Sequence, residues 1–536
     1  MHLRKHDLRF ILVFLFFFLA LFIFAIKLTL IQVFRSEHLA ALAKKQQNHY
    51  VELEPVRGAI LDRNLRPLAF NIPVDSLYAN PKTMTAEDKK RAIQQLPAIL
   101  QMSSSDISDR VGKNKYFVWM KRKLSAEEAK QVNNLRIRGL GFRKESKRFY
   151  PNGSLAAHVI GFASVDNDGL EGLELFYNKE LKGSSGWMRI LRDAHQRELM
   201  LERDYFLAKN GYHVVLTIDE TIQYLAESAL EKAMKKHNAK GASIIVIDVK
   251  TGEILAFANL PTYNLDHAAQ SPVANRTNRA ISFFYEPGSV FKIVTAAAAL
   301  EEEQFVETDK IFCENGSYKV ANHILHDHRP HGTLTFREVF EMSSNIGVTK
   351  IAQRLGPEII YKYGKRFRFG ELTGIDMYGE VAGYLKPVSQ WSKTSIGAIP
   401  IGQEVIVTPL QLIYAMAAIA NDGVMMKPSF VKAIKDGQEK IIRSFEPQVA
   451  GRVISVETAR RLTEILVGVT ENGTAPQAKI QGIRVAGKTG TAQKVVGGAY
   501  SHSQFYATFM GYAPADNPQL AAIVVFDEPH PSYFGG

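Results

Sequence analysis

The sequence predicts an α/β or α+β domain with a central sheet in its C-terminal part. From Gly211 onward, β-like runs alternate with long helices rich in Ala and Leu, such as residues 221–234 and 410–421. This alternation is typical of a sheet covered by helices on its faces. Before Gly211, short β-like runs alternate with charged helical segments, for example residues 86–91 and 126–130, which predicts a separate mixed domain.

The N-terminus predicts a membrane anchor. An apolar run covers residues 10–26, is interrupted by Lys27 and resumes over residues 28–34, which together can span a bilayer. The basic residues before it place the short tail in the cytoplasm and the rest of the chain outside, by the positive-inside rule. We therefore divide the chain into four parts: a tail (1–9), an anchor (10–34), a mixed domain (35–210) and a C-terminal domain (211–536).

A cleaved signal peptide is the alternative interpretation of this segment. Residues 41–43, Ala-Leu-Ala, offer a small-x-small cleavage site. That site lies well beyond the apolar run, and the run is longer than a usual signal core. The sequence therefore favours an uncleaved anchor.

Composition limits the classes of function. The 536 residues carry a net charge of +12, which is compatible with nucleic acid, an anionic membrane surface or an acidic polymer as partner. The predicted anchor places the domains outside the cytoplasm and argues against nucleic acid.

Cys313 is the single cysteine, so an intrachain disulfide is impossible. Nothing around it predicts an activated thiolate, and a small buried residue is the simpler interpretation.

Three short strings in one order are the most informative feature. Ser289 and Lys292 frame an S-x-x-K string, Ser343 and Asn345 an S-x-N string, and residues 488–491 read K-T-G-T. Each string alone is weak, since such a pattern occurs by chance about once or twice in a chain of this length. The sequence contains decoys of two of them, an S-x-x-K at 429–432 and a K-T-G at 250–252.

Local context separates the strings from their decoys. Ser289 follows Pro-Gly and precedes an apolar run, so it opens a buried helix with Lys292 one turn along on the same face. A lysine at that position can take the proton of the serine hydroxyl. Ser429 follows a proline among strand-like residues and is predicted to be an exposed strand residue. Lys250 lies between two β-rich runs and is predicted to lie in a hairpin turn.

The three strings resemble the motif set of the penicillin-recognising serine acyl transferases. Over nearly its whole length after the anchor, the chain resembles the class B penicillin-binding proteins, the monofunctional peptidoglycan D,D-transpeptidases. The same resemblance covers three motifs without catalytic residues, whose members are Arg57, Gly58, Asp62 and Arg63 in the first, Arg148, Gly153 and His158 in the second, and Glu171 in the third. We expect the charged members to form buried salt-bridge networks.

The resemblance implies a five-stranded antiparallel sheet flanked by helices, on an elongated pedestal. It also implies roles: Ser289 as nucleophile, Lys292 as base, Ser343 as proton relay and Asn345 as a contact to the substrate amide. Lys488 would supply positive charge, and the hydroxyls of Thr489 and Thr491 would bind the terminal carboxylate of the substrate, with Gly490 between them as a further substrate-binding residue. The substrates implied are stem pentapeptides, with β-lactams as covalent inhibitors. No cofactor or metal is implied.

Details favour the division-specific (FtsI-type) members of the family. These are residues 161–166, Lys494 and the Phe-Asp-Glu-Pro string at 526–529. This predicts a single-pass protein of the bacterial cytoplasmic membrane, at the division septum, with other division proteins as partners. The chain has no recognisable glycosyltransferase motif, so the resemblance implies a SEDS-type glycosyltransferase as a further partner.

Several alternatives stay open at this point. The histidines between 323 and 331 could bind a metal with Asp327, although such loops are more often solvated. Ser343 and Ser344 could simply cap the following helix. Rapid deacylation by the route of class A β-lactamases is not supported, because no Glu-x-x-Leu-Asn string is present. An elongation-specific transpeptidase and a catalytically idle division scaffold are the competing functions.

The C-terminus departs from the family pattern. Relatives continue through small residues into a C-terminal helix that covers the sheet, whereas this sequence stops at Gly536. The expectation is a transpeptidase domain that lacks its C-terminal end and a sheet face near residues 520–526 that is partly exposed.

Overall fold

The computed structural model describes residues 5–37, 48–192, 198–199 and 205–531. The chain forms two compact units, one made of residues 1–56 with 183–210 and the other of residues 57–182 with 211–536. The predicted signal-cleavage site at 41–43 and the last residues, 532–536, lie outside the described residues.

The smaller unit contains the predicted anchor and a small sheet. An α-helix, Lys5–Thr29, continues as a π-helical turn over Leu30–Phe34. Its segment Leu8–Phe34, 27 residues, is long and apolar enough to cross a membrane. The antiparallel sheet has four strands, which are Asn48–Leu53, Gly186–Arg192, Glu198–Leu199 and Tyr205–Phe206.

The larger unit contains a seven-stranded sheet to which both halves of the sequence contribute. Strands from before residue 183 pair with strands from the C-terminal part, because Ile60–Leu61 lies parallel to His213–Leu216. The strands in order are Ile441–Ser444, Val431–Lys435, His213–Leu216, Ile60–Leu61, Pro67–Ala79 and Val118–Lys121, with Leu140–Phe149 also paired to Pro67–Ala79.

The three longest helices before residue 183 are amphipathic and begin with side-chain caps. Thr85 and Ser125 each form a capping box with an acidic residue three positions later. The helices of this part are Ala86–Leu100, Ser104–Val111, Ala126–Leu135, Ala157–Ile160, Gly172–Phe176 and Asn178–Lys182.

The C-terminal part contains the predicted antiparallel sheet of five strands. Their spatial order is Ile254–Leu260, Gly241–Asp248, Leu520–Asp527, Ala499–Ala513 and Ala486–Val496. The described part of the chain also contains four two-stranded ribbons: Lys310–Phe312 with Thr333–Thr335, Ser317–Val320 with His323–His326, Tyr384–Leu385 with Val405–Ile406, and Val424–Met426 with Val449–Arg452.

Helices cover this sheet, as the alternating pattern predicts. The apolar helices Lys292–Glu301 and Pro409–Ala420 are almost wholly buried in the main core. The α-helices after residue 210 are Glu220–Lys236, Val273–Arg276, Arg279–Ser282, Lys292–Glu301, Phe336–Glu341, Asn345–Leu355, Pro357–Arg366, Ser395–Ala398, Pro409–Ala420 and Val456–Glu471. Short 3₁₀ turns are Leu265–Gln270, Gly288–Phe291, Glu314–Gly316, Val388–Gln390, Ile399–Ile401 and Pro476–Ala478.

The opposite face of the sheet is only partly covered. Leu230 of the helix Glu220–Lys236 packs with Ala242 and Phe526 in a small separate core. Further along the same face, Ala522 and Val524 are half-buried and Leu520 is exposed. The partial exposure expected for the strand Leu520–Asp527 is therefore present in the structure.

Candidate active site

The S-x-x-K string begins a helix, as predicted, but through a tighter first turn. Residues Gly288–Phe291 form a 3₁₀ turn, and the α-helix follows as Lys292–Glu301. Side chains at positions i and i+3 eclipse in a 3₁₀ turn, which places Ser289 and Lys292 on one side. Ser289 is half-buried and lines a cleft, whereas Lys292 is completely buried.

The K-T-G string lies on the edge strand Ala486–Val496, which we call the K-T-G strand. This strand passes directly beside the turn that holds Ser289. A Cβ on Gly490 would lie 2.9 Å from Cγ1 of Val290 and 3.1 Å from the carbonyl oxygen of Pro287. Gly490 therefore permits a close approach that a larger residue would prevent.

The S-x-N string forms the third wall of the cleft. Ser343 has a left-handed backbone with φ 58°, an uncommon conformation for a residue other than glycine. The helix Asn345–Leu355 begins immediately after, and Ser344 is its N-cap, because its Oγ accepts a hydrogen bond from the amide of Gly347 at 2.9 Å. The capping alternative is thus correct for Ser344, whereas Ser343 faces the lysines.

The two lysines of the strings converge on the Ser343 hydroxyl. Nζ of Lys292 lies 3.2 Å from Oγ of Ser343, and Nζ of Lys488 lies 3.0 Å from the same atom. Lys292 also donates to the carbonyl oxygen of Ser343 at 2.7 Å and to Oδ1 of Asn345 at 2.8 Å. Within the described residues, the side-chain hydrogen bonds of Lys292 all go to the S-x-N string. The structure thus brings all three strings together.

Burial changes the acid–base properties of both lysines. Burial holds the pKa of Lys292 well below its ordinary value, and the charge of Lys488 lowers that pKa further. Burial alone lowers the pKa of Lys488 to about 7. A neutral amine at Lys292 is therefore available near pH 7, which is what a general base requires.

Asp327 supports the S-x-N string from the neighbouring loop. Its Oδ2 accepts a hydrogen bond from Oγ of Ser344 at 2.7 Å, and its Oδ1 accepts one from the amide of Ile346 at 3.0 Å. The charge of Asp327 also raises the pKa of Lys292. The sequence drew attention to Asp327 as a possible metal ligand, whereas in the structure its carboxylate binds the start of the helix.

Thr474 is a residue of the cleft that the sequence did not indicate. Its Oγ1 lies 2.8 Å from Oγ1 of Thr489, and both residues line the cleft with Thr491. The preceding Gly473 lets the loop pack closely, because a Cβ there would lie 2.3 Å from the carbonyl oxygen of Glu341. A Gly-Thr pair after a helix was the available signal, but it is too common to be specific.

The decoys have structural roles. Lys250 lies in the turn between Gly241–Asp248 and Ile254–Leu260, as predicted, and its amide donates to Oδ1 of Asp248 at 2.9 Å. Ser429 is half-buried in an isolated bridge with Glu253, and its hydroxyl donates to the carbonyl oxygen of Val431 at 3.0 Å. The prediction that Ser429 is an exposed strand residue is wrong, because the adjoining chain covers it.

The buried ion pairs expected before residue 183 are present, but with a different carboxylate at their centre. Nε of Arg57 and Nε of Arg148 each donate to Glu174 at 2.6 Å, and all three side chains are buried. Glu171, which the sequence indicated, instead pairs with Arg276.

The other motif residues have packing or turn roles. The amides of residues 64 and 66 both donate to Oδ1 of Asp62, and Arg63 pairs with Glu253. His158 is buried with Nε2 at 2.8 Å from the carbonyl oxygen of Asn275. Gly58 permits a close approach to the carbonyl oxygen of residue 212, and Gly153 has φ 60°.

Cys313 is buried, as predicted, with Sγ 3.4 Å from Oγ of Ser344. Burial raises the pKa of its thiol, so the residue behaves as a small core side chain.

Comparison with known proteins decides the family. Residues 242–536 match the family described as "Penicillin binding protein transpeptidase domain", and residues 52–216 match "Penicillin-binding Protein dimerisation domain". The chain belongs to the class B penicillin-binding proteins. It is accordingly a peptidoglycan D,D-transpeptidase of the serine acyltransferase type.

Individual relatives of this class B penicillin-binding protein cover most of its length. It is 36% identical to stage V sporulation protein D of Bacillus subtilis over 519 residues, covering 95% of this chain and 80% of the relative. It is 31% identical to the peptidoglycan D,D-transpeptidase FtsI of Escherichia coli over 491 residues, covering 90% of this chain and 80% of that relative. Among solved structures, penicillin-binding protein 3 of Mycobacterium tuberculosis in complex with aztreonam is similar, with TM-score 0.69 and 30% identity. The match covers 89% of this chain and 91% of that structure's chain.

The pKa values of the two lysines lead to a testable pH dependence. The rate constant of penicillin acylation should rise with pH as Lys292 loses its proton, and it should fall above about pH 7 as Lys488 loses its charge. Stopped-flow acylation between pH 5 and about pH 10 measures both limbs. In Lys488→Arg the guanidinium stays charged, so the falling limb should disappear. A falling limb unchanged in Lys488→Arg would contradict this assignment.

The substitution Asp327→Asn should shift the rising limb of the pH dependence of penicillin acylation. Removing the carboxylate removes a charge that raises the pKa of Lys292, so the rising limb should move to lower pH. The same pH series measures the shift. Glu314→Gln is the control, because Glu314 pairs with Lys350 outside the cleft and should leave the limb in place. A shift to higher pH in Asp327→Asn would contradict the prediction.

Proposed function

We propose that the enzyme cross-links peptidoglycan through an acyl-enzyme on Ser289. The observation that carries the proposal is the convergence of Lys292 and Lys488 on Ser343, beside the turn that holds Ser289. Ser289 lies on the cleft between the three strings, where the carbonyl carbon of a bound peptide can reach its hydroxyl.

The first half-reaction forms the ester. The neutral amine of Lys292 takes the proton of Ser289 as its Oγ bonds to the carbonyl carbon between the two terminal D-alanines. The C–N bond then breaks, and the leaving nitrogen receives a proton through Ser343, which contacts both lysines. D-Alanine leaves. In the second half-reaction, an amine of a neighbouring stem attacks the ester, its proton returns through the same groups, and Ser289 is released.

Substrate binding uses the K-T-G strand. The charge of Lys488 and the hydroxyls of Thr489 and Thr491 bind the terminal carboxylate, and Thr474 holds the Thr489 hydroxyl in place. Asn345, oriented by Lys292 and by its bond to the carbonyl oxygen of His326 at 2.9 Å, contacts the substrate amide. Backbone amides of Ser289 and Thr491 form the oxyanion hole, each donor typically worth ~3 kcal/mol.

The cellular role we propose is septal synthesis during division. The chain is a single-pass protein anchored by its N-terminal helix, with the mixed domain as a pedestal for other division proteins. A SEDS-type glycosyltransferase supplies the glycan strands. Similarity to FtsI of E. coli supports this role.

Product analysis tests the reaction. The full chain in detergent is incubated with glycan strands that carry pentapeptide stems, and cross-linked muropeptides and free D-alanine are measured by mass spectrometry. We expect both products in equal amounts, and neither with Ser289→Ala. D-Alanine release without cross-links, at saturating acceptor, would indicate a hydrolase and contradict the proposal.

Cell position separates the division role from an elongation role. In the native organism, a fluorescent fusion should collect at the septum, and depletion should block septation while growth in length continues. Loss of rod shape on depletion would favour the elongation role. Rescue of division by Lys292→Met would favour the idle scaffold.

A further inference from the structure

The positive charge of the chain is concentrated in one segment outside the catalytic domain. Residues 110–148 contain thirteen Lys or Arg and three Glu, so they account for ten of the twelve net positive charges. The segment belongs to a subdomain with a separate hydrophobic core, formed around Leu77, Leu96 and Met120. Such a concentration of one sign of charge creates a local potential that attracts anionic partners.

Two of the three carboxylates in this segment already pair with other cations. Lys121 pairs with Glu128 at 2.6 Å, and Arg122 pairs with Glu145 at 2.6 Å. Lys113 and Lys115 are exposed, and neither forms an ion pair within the residues that the structure describes. These two ammonium groups are therefore available to a partner.

Two aromatic rings lie beside these lysines. Every residue from 112 to 117 is exposed, and we call this segment the basic-aromatic loop. Within it, 55% of Tyr116 and 42% of Phe117 are exposed to solvent. Large aromatic residues are enriched at the centres of protein interfaces, and charges in the rim around them steer a partner of opposite charge.

Side-chain and backbone contacts tie the loop to the rest of the subdomain. Phe117 stacks on Tyr78, with ring centroids 4.9 Å apart, and Nζ of Lys82 lies 4.3 Å from the centroid of Tyr116. The amide of Lys82 donates to the carbonyl oxygen of Lys115 at 3.3 Å. A pre-ordered loop loses little conformational entropy on binding, which favours affinity.

We propose that the basic-aromatic loop docks an acidic polypeptide segment that carries apolar side chains. The lysines pair with its carboxylates, and the rings of Tyr116 and Phe117 contact its apolar groups. A partner that carried charge alone would leave the ordered rings unused, which is why we favour a polypeptide over a glycan polyanion or a lipid headgroup. The site is independent of the catalytic cleft.

Peptide binding tests the proposal with the full chain in neutral detergent. The probe is a fluorescein-labelled peptide of repeated Glu-Glu-Leu-Phe, and fluorescence anisotropy at constant salt gives its Kd. We expect Lys113→Glu with Lys115→Glu, and separately Tyr116→Ala with Phe117→Ala, each to raise Kd by ~10-fold or more. Penicillin acylation and thermal unfolding of the charge variant should match the parent chain.

Matched controls come from the helix Glu220–Lys236, which carries exposed residues of the same kinds. Lys235→Glu with Lys236→Glu makes the same charge change, and Tyr224→Ala with Leu225→Ala removes similar apolar area. Both should leave Kd within about twofold of the parent value, since neither touches the loop. An equal loss of affinity in these controls would overturn the proposal.

Two further probes make the test specific. A peptide with Gln for Glu should bind at least ~10-fold more weakly. A repeated Lys-Lys-Leu-Phe peptide should bind the charge-reversed loop variant better than the parent, even if the aromatic variant fails to fold.

Equal affinity of the parent for a peptide with Gly in place of Leu and Phe would indicate general polyanion attraction and overturn the proposal. So would tighter binding to phosphatidylglycerol in mixed micelles than to the peptide, which would indicate a lipid surface.

Discussion

Replacement of Lys292 by methionine should lower the rate of penicillin acylation by ~10³-fold or more, because it removes the proposed general base. Methionine has a similar length and suits a site that is completely buried. The variant loses the bonds to the carbonyl oxygen of Ser343 and to Oδ1 of Asn345, which costs about 1–3 kcal/mol for each acceptor left unpaired. Thermal unfolding should therefore show a destabilised but folded protein. The rate is measured with a fluorescent penicillin under single-turnover conditions.

The decoy string supplies the control for that experiment. Lys432→Met removes the lysine of the second S-x-x-K string, and Ser429 there donates to a backbone carbonyl and not to a lysine. We expect an unchanged acylation rate. If Lys292→Met kept the rate within tenfold of the parent chain, the proton would have another acceptor and the assignment of Lys292 would be wrong.

Replacement of Glu174 by glutamine should destabilise the protein by ~3–5 kcal/mol. Glu174 is fully buried and accepts hydrogen bonds from Arg57 and Arg148, so removal of its charge leaves two buried guanidinium groups uncompensated. Arg57 also donates to the carbonyl oxygen of Glu174 and to Oδ1 of Asn178, but these bonds do not neutralise the charge. Urea unfolding of the full chain, compared with the parent chain, measures the difference.

Glu171→Gln is the matched control on the same short segment. The side chain of Glu171 is 35% exposed and pairs with Arg276, so solvent can replace the lost partner. The expected change is about 1 kcal/mol or less. A larger loss in Glu171→Gln than in Glu174→Gln would show that the centre of the network is misplaced.

Sequence reasoning identified the groups whose chemistry is distinctive. Ser289, Lys292 and Lys488 stand in short strings whose order and context are informative, and the structure brings the strings together. The five-stranded sheet followed from the resemblance, and the helices that cover it from the alternation of β-like runs with apolar helices. The strings and the covering helices depend on local sequence and on side-chain periodicity, which a single chain displays, whereas the strand number of the sheet came only from the resemblance.

The roles that the sequence did not predict depend on contacts between distant segments. Glu174 and Glu171 have the same side chain three positions apart, and only the packed structure shows which one lies between the two arginines. Thr474 contacts Thr489, which lies on another element. Asp327 binds Ser344, the N-cap of a helix that starts eighteen residues after Asp327. Ser429 is half-buried because another segment of the same chain, near Glu253, lies against it. No local pattern encodes these pairings.

Intact mass after reaction with benzylpenicillin is the most direct test of the proposed nucleophile. Parent chain, Ser289→Ala and Ser429→Ala are compared at equal concentration, and peptide mapping locates the adduct. We expect one acyl adduct on Ser289 in the parent chain and in Ser429→Ala, and none in folded Ser289→Ala. An adduct that persists in Ser289→Ala, or one that maps to Ser343 or Ser429 in the parent chain, would contradict the mechanism.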